Sequence, residues 1–86
     1  ALLLGMIFDD NVEVRTAAGA HRSMPSPGLI KLARDKELVV RQAVVDNPGT
    51  LPEALKRLSF DSDDDVRGQA RTRFAAILKT QIATLK

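Results

Sequence analysis

The clearest pattern of apolar and polar positions lies in the middle of the chain, between residues 34 and 59. Its apolar side chains follow helical spacing in two blocks: Val40, Ala43 and Val44, then Leu55 and Leu58. An Asp-Asn-Pro-Gly turn at 46–49 separates the blocks, because its proline cannot continue a helix. The pattern predicts a helix over 36–46, a sharp turn and a second, shorter helix.

Polar residues beside these blocks indicate where helices begin. Thr50 followed by Glu53 has the spacing of a capping box, which predicts Thr50 as the N-cap of the short helix. Asp9 or Asp10 is expected to cap an earlier helix over 9–20, where acids also suit the helix dipole.

The same arrangement recurs on both sides of the middle segment at a step of 26 residues. An acid is followed after five residues by arginine, with valine just before it. The aspartates are Asp9, Asp35 and Asp61; the valines are Val14, Val40 and Val66; the arginines are Arg15, Arg41 and Arg67. The first copy places Val14, Ala17 and Ala18 on one helix face. The spacing predicts one repeat domain over residues 1–86, with a partial repeat at 1–7 and repeats at 8–33, 34–59 and 60–86.

The third copy departs from the first two. Ser62 and the acids after it form a strong helix start. No proline or glycine follows Gly68, and Phe74 stands where the second copy has Pro48. An apolar stripe continues through Leu78, Ile82 and Leu85. We therefore expect one long helix over about 64–84 that caps the C-terminal end of an all-α, α-solenoid (α-α superhelix) fold.

Composition excludes several classes of protein. The chain has 86 residues, of which 44% are hydrophobic and 28% charged, as in a folded domain. It contains no cysteine, which excludes disulfides, thiol catalysis and cysteine-ligated metal clusters. The apolar stretch at 1–8 is too short to span a bilayer and lacks a basic flank. A cytoplasmic protein without a cofactor is the expectation.

The middle segment resembles the leucine-rich repeat variant (LRV) family and, through its acid and arginine, HEAT-type repeats. The matching residues are Asp35, Val40, Arg41, Asn47, Pro48, Pro52, Leu55 and Leu58. The first copy has His21-Arg22 in place of Asn-Pro, and the third keeps only the positions around Asp61, Val66, Arg67 and Ala70. The resemblance implies a right-handed superhelix of longer helices alternating with short ones, and a role as an interaction scaffold. The iron–sulfur cluster known beside such repeats is not carried over, since there is no cysteine.

The regular charges allow two interpretations. The arginines could form a stripe that binds a ligand. Alternatively, they form a ladder with the aspartates that locks neighbouring repeats together, as in HEAT arrays. The ladder is preferred, because an arginine beside a buried valine has a long stem to pack and a planar fork for a carboxylate. The ladder residues are Asp9, Arg15, Asp35, Arg41, Asp61 and Arg67.

No catalytic constellation is visible, so the chain is not expected to be an enzyme. The single histidine, His21, has no second ligand nearby, and the acids at 61–65 lack the glycine and later glutamate of a calcium loop, so no metal is expected.

The predicted function is a non-enzymatic protein-interaction scaffold, with an unidentified protein partner and no membrane. The alternative is nucleic-acid binding through a basic edge and the basic C-terminal helix. The binding candidates are Arg22, Asn47, Lys56, Arg57, Arg71 and Arg73.

Overall fold

Longer and shorter helices alternate along the chain. A computed structural model describes residues 2–85, so Ala1 and Lys86 lie outside the described part. The described residues are all helical apart from turns, which confirms the all-α class. The elements are α1 (Leu2–Gly5), a 3₁₀ helix (Met6–Phe8), α2 (Val12–Ala20), α3 (Ser26–Leu32), α4 (Leu38–Asp46), α5 (Pro52–Leu58) and α6 (Asp64–Leu85).

The longer helices lie side by side, with α2 against α4 and α4 against α6. The short helix α3 contacts α2, α4 and α5, and α5 packs along α6. The facing sides of the two sets form the core. Its largest fully buried side chains are Leu29, Leu32, Leu55, Leu58, Val40, Val44, Val45 and Val66. Each such burial contributes about 2 kcal/mol, so the leucines and valines of the sequence pattern supply most of the packing energy.

The contact between α2 and α4 is close because small residues face it. Ala18 is fully buried, and the position of a Cβ on Gly19 lies only 3.2 Å from Val44 Cγ2 and 3.3 Å from Ala43 Cβ. Ala17, expected on this face, is instead exposed, so that prediction was wrong. The helix is turned so that Ala18 and Gly19 meet α4.

Helix α6 runs unbroken from Asp64 to Leu85, which confirms the long helix expected over about 64–84. Val66 and Ala70 are fully buried, and Phe74 packs partly buried against the core. Leu78 and Ile82 are 42% and 58% exposed, so the core covers only the first half of the apolar stripe. The side chain of Leu85 lies outside the described part.

The helix starts differ from those expected. Asn11, and not Asp9 or Asp10, caps α2, because its side chain accepts the Glu13 N–H at 2.8 Å. Leu51 stands at the N-cap of α5, while Thr50 turns back to donate to the Val44 carbonyl at 2.6 Å. At α6, Asp63 and not Ser62 accepts the Val66 N–H at 3.0 Å. The polar side chains join turns and helix ends more often than they form capping boxes.

Across residues 2–85, no helix combines the length and the apolar character that crossing a membrane requires.

Candidate interaction surface

Two arginine–aspartate pairs join successive helix pairs. Arg15 Nε lies 2.8 Å from Asp35 Oδ2, and Arg41 Nε lies 2.7 Å from Asp61 Oδ2. These side chains are 5–15% exposed. Each guanidinium also donates backward, from Arg15 to the Asp9 carbonyl and from Arg41 to the Asp35 carbonyl, both at 2.9 Å. Each arginine therefore bonds two segments 26 residues apart in the chain.

The first pair stays ionised at neutral pH. Burial opposes the charge on Asp35, but hydrogen bonds from the Arg15 side chain and the Glu37 N–H outweigh it and hold the pKa of Asp35 below its usual value. The hydrogen bond to Asp35 outweighs desolvation of Arg15 and raises the pKa of its guanidinium. A charged pair of this kind serves as a lock more readily than as a proton donor or acceptor.

Arg67 and Asp9, the last arginine and the first aspartate of the repeated pattern, have different partners. Arg67 repeats the backward bond, to the Asp61 carbonyl at 3.0 Å, but its side chain pairs with Asp64 on the same helix. The Asp9 carboxylate accepts the Asn11 N–H at 2.8 Å, and no arginine contacts that carboxylate within residues 2–85.

A second set of bonds also recurs 26 residues apart, and it uses two of the predicted binding residues. The Asn47 side chain donates to the carbonyls of Gly19 and His21 at 2.8 and 3.0 Å. Arg73 donates to those of Val45 and Asn47 at 2.6 and 3.1 Å. Asn47 is 2% exposed, so it binds the end of the previous helix and is unavailable to a ligand.

The remaining predicted binding residues Arg22, Lys56, Arg57 and Arg71 are exposed. Arg22 is exposed in the turn after α2, and Lys56 and Arg57 are exposed in the last turn of α5. Arg71 is exposed but donates to the Ser59 carbonyl at 2.9 Å. The bond to Ser59 places Arg71 beside the end of α5, the helix that carries Lys56 and Arg57, whereas Arg22 lies in the turn after α2.

His21 and the acids at 61–65, which the sequence did not favour as metal ligands, have local roles. His21 Nδ1 accepts the Ser23 N–H at 3.1 Å, and the acids after Asp61 begin α6. Among residues 2–85, no group of His, Asp or Glu side chains has the arrangement needed to hold a metal ion.

A different surface combines exposed aromatic and basic side chains. Phe8 and Phe60 are 69% and 75% exposed, although the chain has only three phenylalanines and no other aromatic residue apart from His21. The Lys31 ammonium lies 5.3 Å from the centre of the Phe8 ring, in a cation–π contact. We call this surface the cation–aromatic edge; it consists of Phe8, Lys31, Arg34, Lys36, Arg57 and Phe60.

Two open grooves run along this edge. The first has a volume of about 570 Å³ and is lined by apolar Ile7, Pro27 and Ile30 together with Lys31 and Lys36. The second, about 270 Å³, is lined by Arg57, Phe60 and Ser62 among others. Arg34 and Asp35 border both grooves and join them into one surface.

Sequence reasoning missed this edge, although a signal was present. Residues 8, 34 and 60 are one repeat step apart, and they are phenylalanine, arginine and phenylalanine. Each ends a short helix or follows one, where the two outer rings are left outside the core. Of the predicted binding residues, only Arg57 belongs to the edge.

No protein-family model, no curated protein and no solved structure matches the chain.

Proposed function

We propose that this chain is a short right-handed α-solenoid of LRV- or HEAT-like repeats that acts as a non-enzymatic protein-interaction scaffold. The observation that supports the repeat architecture is the duplication of whole sets of contacts. The Arg15–Asp35 pair is repeated by Arg41–Asp61. Likewise, the Asn47 side chain donates to the carbonyls of Gly19 and His21, and Arg73, 26 residues later, donates to the carbonyls of Val45 and Asn47.

The binding surface in this proposal is the cation–aromatic edge. Aromatic residues and arginine are enriched where proteins bind one another, and this edge carries two exposed phenylalanines beside Arg34 and Arg57. The edge also carries cations whose charge is not neutralised locally. The exposure of Phe8 and Phe60 beside Arg34 is the observation that supports this surface most strongly.

Nucleic-acid binding is the second candidate, and the position of the basic residues weakens it. Arg71 and Arg73, expected to make the C-terminal helix a phosphate-binding surface, hold backbone carbonyls instead. On the cation–aromatic edge, Asp35 and Asp61 alternate with the cations. A continuous phosphate backbone would pass these carboxylates, whereas a peptide can place its charges selectively.

The proposal is tested by selecting binders from a displayed library of random octapeptides. We expect the unmodified protein to enrich a family of peptides, and the double variant Phe8→Ala, Phe60→Ala to lose at least about tenfold in affinity for them. A tenfold change corresponds to about 1.4 kcal/mol, as for one modest hot spot.

The matched control removes two exposed apolar side chains elsewhere, Val39→Ala and Leu51→Ala, which are 55% and 50% exposed. It should keep the binding of the unmodified protein. A library from which nothing is enriched, or peptides that bind the Phe8/Phe60 variant equally well, would reject the cation–aromatic edge as a scaffold surface.

A further inference from the structure

The two grooves of the cation–aromatic edge differ in chemistry, although their positions are equivalent. Ile7 in the first groove corresponds to Ala33 in the second, and Lys36 corresponds to Ser62. The first groove is the larger, at about 570 Å³ against about 270 Å³, and its lining includes apolar Ile7, Pro27 and Ile30. An apolar side chain of the partner therefore finds more space and more apolar contact in the first groove than in the second.

The cations between and beyond the grooves are free to bind an anion. Within residues 2–85, no hydrogen bond or ion pair engages the side chains of Arg34, Lys36 or Arg57. Arg15 and Arg41, in contrast, are already saturated by Asp35 and Asp61. A guanidinium that is exposed and unpaired beside an aromatic ring is well suited to take a carboxylate with two parallel hydrogen bonds.

The length of the edge bounds the length of the ligand. Phe8 and Phe60 are two repeat steps apart, and packed helices lie 8–10 Å from each other, so the rings are separated by roughly 20 Å. An extended chain rises about 3.3 Å per residue, so roughly six residues cover that distance.

We infer that the cation–aromatic edge binds an extended acidic peptide of about six residues, with one apolar side chain in the first groove and carboxylates on Arg34 and Arg57. This inference rests on the proposed scaffold function. It adds the chemistry of the partner and the order in which its side chains lie along the edge. The apolar residue lies toward Phe8, and the carboxylate that reaches Arg57 lies toward Phe60.

The test uses the octapeptides enriched in the selection above, made synthetically with a fluorescent label and measured by anisotropy. We expect them to carry a leucine- or phenylalanine-like residue and at least two acids. Replacing each glutamate by glutamine and each aspartate by asparagine should weaken binding at least about tenfold. The charge-reversal variant Arg34→Glu, Arg57→Glu should remove binding of the acidic peptides.

A matched control reverses two exposed cations away from the edge, Arg22→Glu and Lys79→Glu, and should bind the acidic peptides within about twofold of the unmodified protein. Circular dichroism checks that both double variants keep their helices. The milder variant Arg34→Gln, Arg57→Gln gives the same test if charge reversal disturbs folding.

The outcomes separate this inference from the proposed function. Peptides that need Phe8 and Phe60 but are neutral, or that bind the Arg34/Arg57 variants normally, would overturn the acidic ligand and leave the scaffold in place. If no peptide is enriched, both fail. An eight-nucleotide oligouridine that bound more tightly than the acidic peptides, and whose affinity fell steeply between about 50 and 200 mM salt, would overturn the inference in favour of nucleic acid.

Discussion

At the residue scale, each of the three equivalent aspartates accepts the backbone N–H two residues later. The distances are 2.8 Å at Asp9, 3.0 Å at Asp35 and 2.9 Å at Asp61. The backbone carbonyl in this turn accepts from the arginine six residues later, as Asp9 does from Arg15. The second carboxylate oxygen accepts from the arginine of the previous repeat, as Asp35 does from Arg15. One short side chain thus supports both the turn and the lock between segments.

The variant Asp35→Asn isolates the lock from the turn, because asparagine can accept the same backbone N–H. We expect it to lower the free energy of unfolding at pH 7, since Arg15 would lose its ionised partner while 9% exposed. Urea unfolding followed by circular dichroism measures the loss. Asp9→Asn is the matched control, because within residues 2–85 Asp9 makes the same turn but no arginine contacts its carboxylate, and its effect should stay within about 0.5 kcal/mol.

The difference between these variants should also depend on pH. The pKa of Asp35 is lowered by folding, so its stabilisation is fully present above the usual aspartate pKa of about 3.9 and is lost as pH falls through the folded value. The gap between the unmodified protein and Asp35→Asn should therefore be constant from pH 7 to about 5 and should narrow as the pH falls below the usual aspartate pKa of about 3.9. A gap that stayed the same at acid pH would show that the carboxylate charge does not carry the lock.

The regular residues of this lock could be found in the sequence, but the way they connect could not. The 26-residue step gives the aspartates and arginines. Nothing in the step alone tells whether Arg15 meets the aspartate before it or after it. In the structure it meets the carbonyl of the former and the carboxylate of the latter.

At the element scale, the contacts on the two sides of α4 are made differently. On one side, Ala18 and Gly19 let α2 approach closely. On the other, the Gln42 amide donates to Gln69 at 2.7 Å and to Asp46 at 3.1 Å, and Gln69 donates to Asp46 at 3.2 Å. Small residues set the first spacing, and an exposed polar network spans the second.

Alanine substitutions at two of the helical glycines, Gly19 and Gly68, distinguish close packing from simple helix preference. A Cβ at Gly68 meets nothing within 4 Å, so Gly68→Ala should stabilise the protein by about 1 kcal/mol through helix propensity. At Gly19, the same Cβ would lie 3.2 Å from Val44 and 3.4 Å from the Val40 carbonyl. Gly19→Ala should therefore fail to give this gain. Thermal unfolding of both variants measures the difference, and equal gains would contradict the close approach.

The lengths of α4 and α6 were predictable because Pro48 and Gly49 interrupt the apolar spacing after α4, whereas no proline or glycine follows Gly68 in α6. Helix orientation was less predictable. Ala17 and Ala18 have the same chemistry, yet the packed helix buries Ala18 and leaves Ala17 exposed, with Gly19 facing α4. The start of α5 was misjudged because the Thr50 hydroxyl donates to the Val44 carbonyl at 2.6 Å, and Leu51 takes the N-cap position instead.

At the scale of the whole molecule, the chain is thin and long, measuring 46 × 29 × 14 Å. A body one or two helices thick buries few side chains and presents a large surface for its size. The cations predicted from the sequence to bind a partner were Arg22, Lys56, Arg57, Arg71 and Arg73, and they did not include Arg34 or Lys36. The cation–aromatic edge depends on which side chains the core leaves outside, and that follows only from the packed helices.

The same shape predicts that stability varies along the chain. Helix α4 has neighbours on both sides, α2 and α6, and contacts both short helices, whereas the end of α6 carries exposed Leu78 and Ile82. In a molecule of this kind each layer is stabilised mainly by its neighbours. Amide hydrogen exchange measured by NMR should thus show Val44 and Val45 opening only with global unfolding, and residues 78–83 opening at a free energy several-fold lower. Uniform protection along α4 and α6 would mean that the chain unfolds as one cooperative unit, with no gradient between its centre and its end.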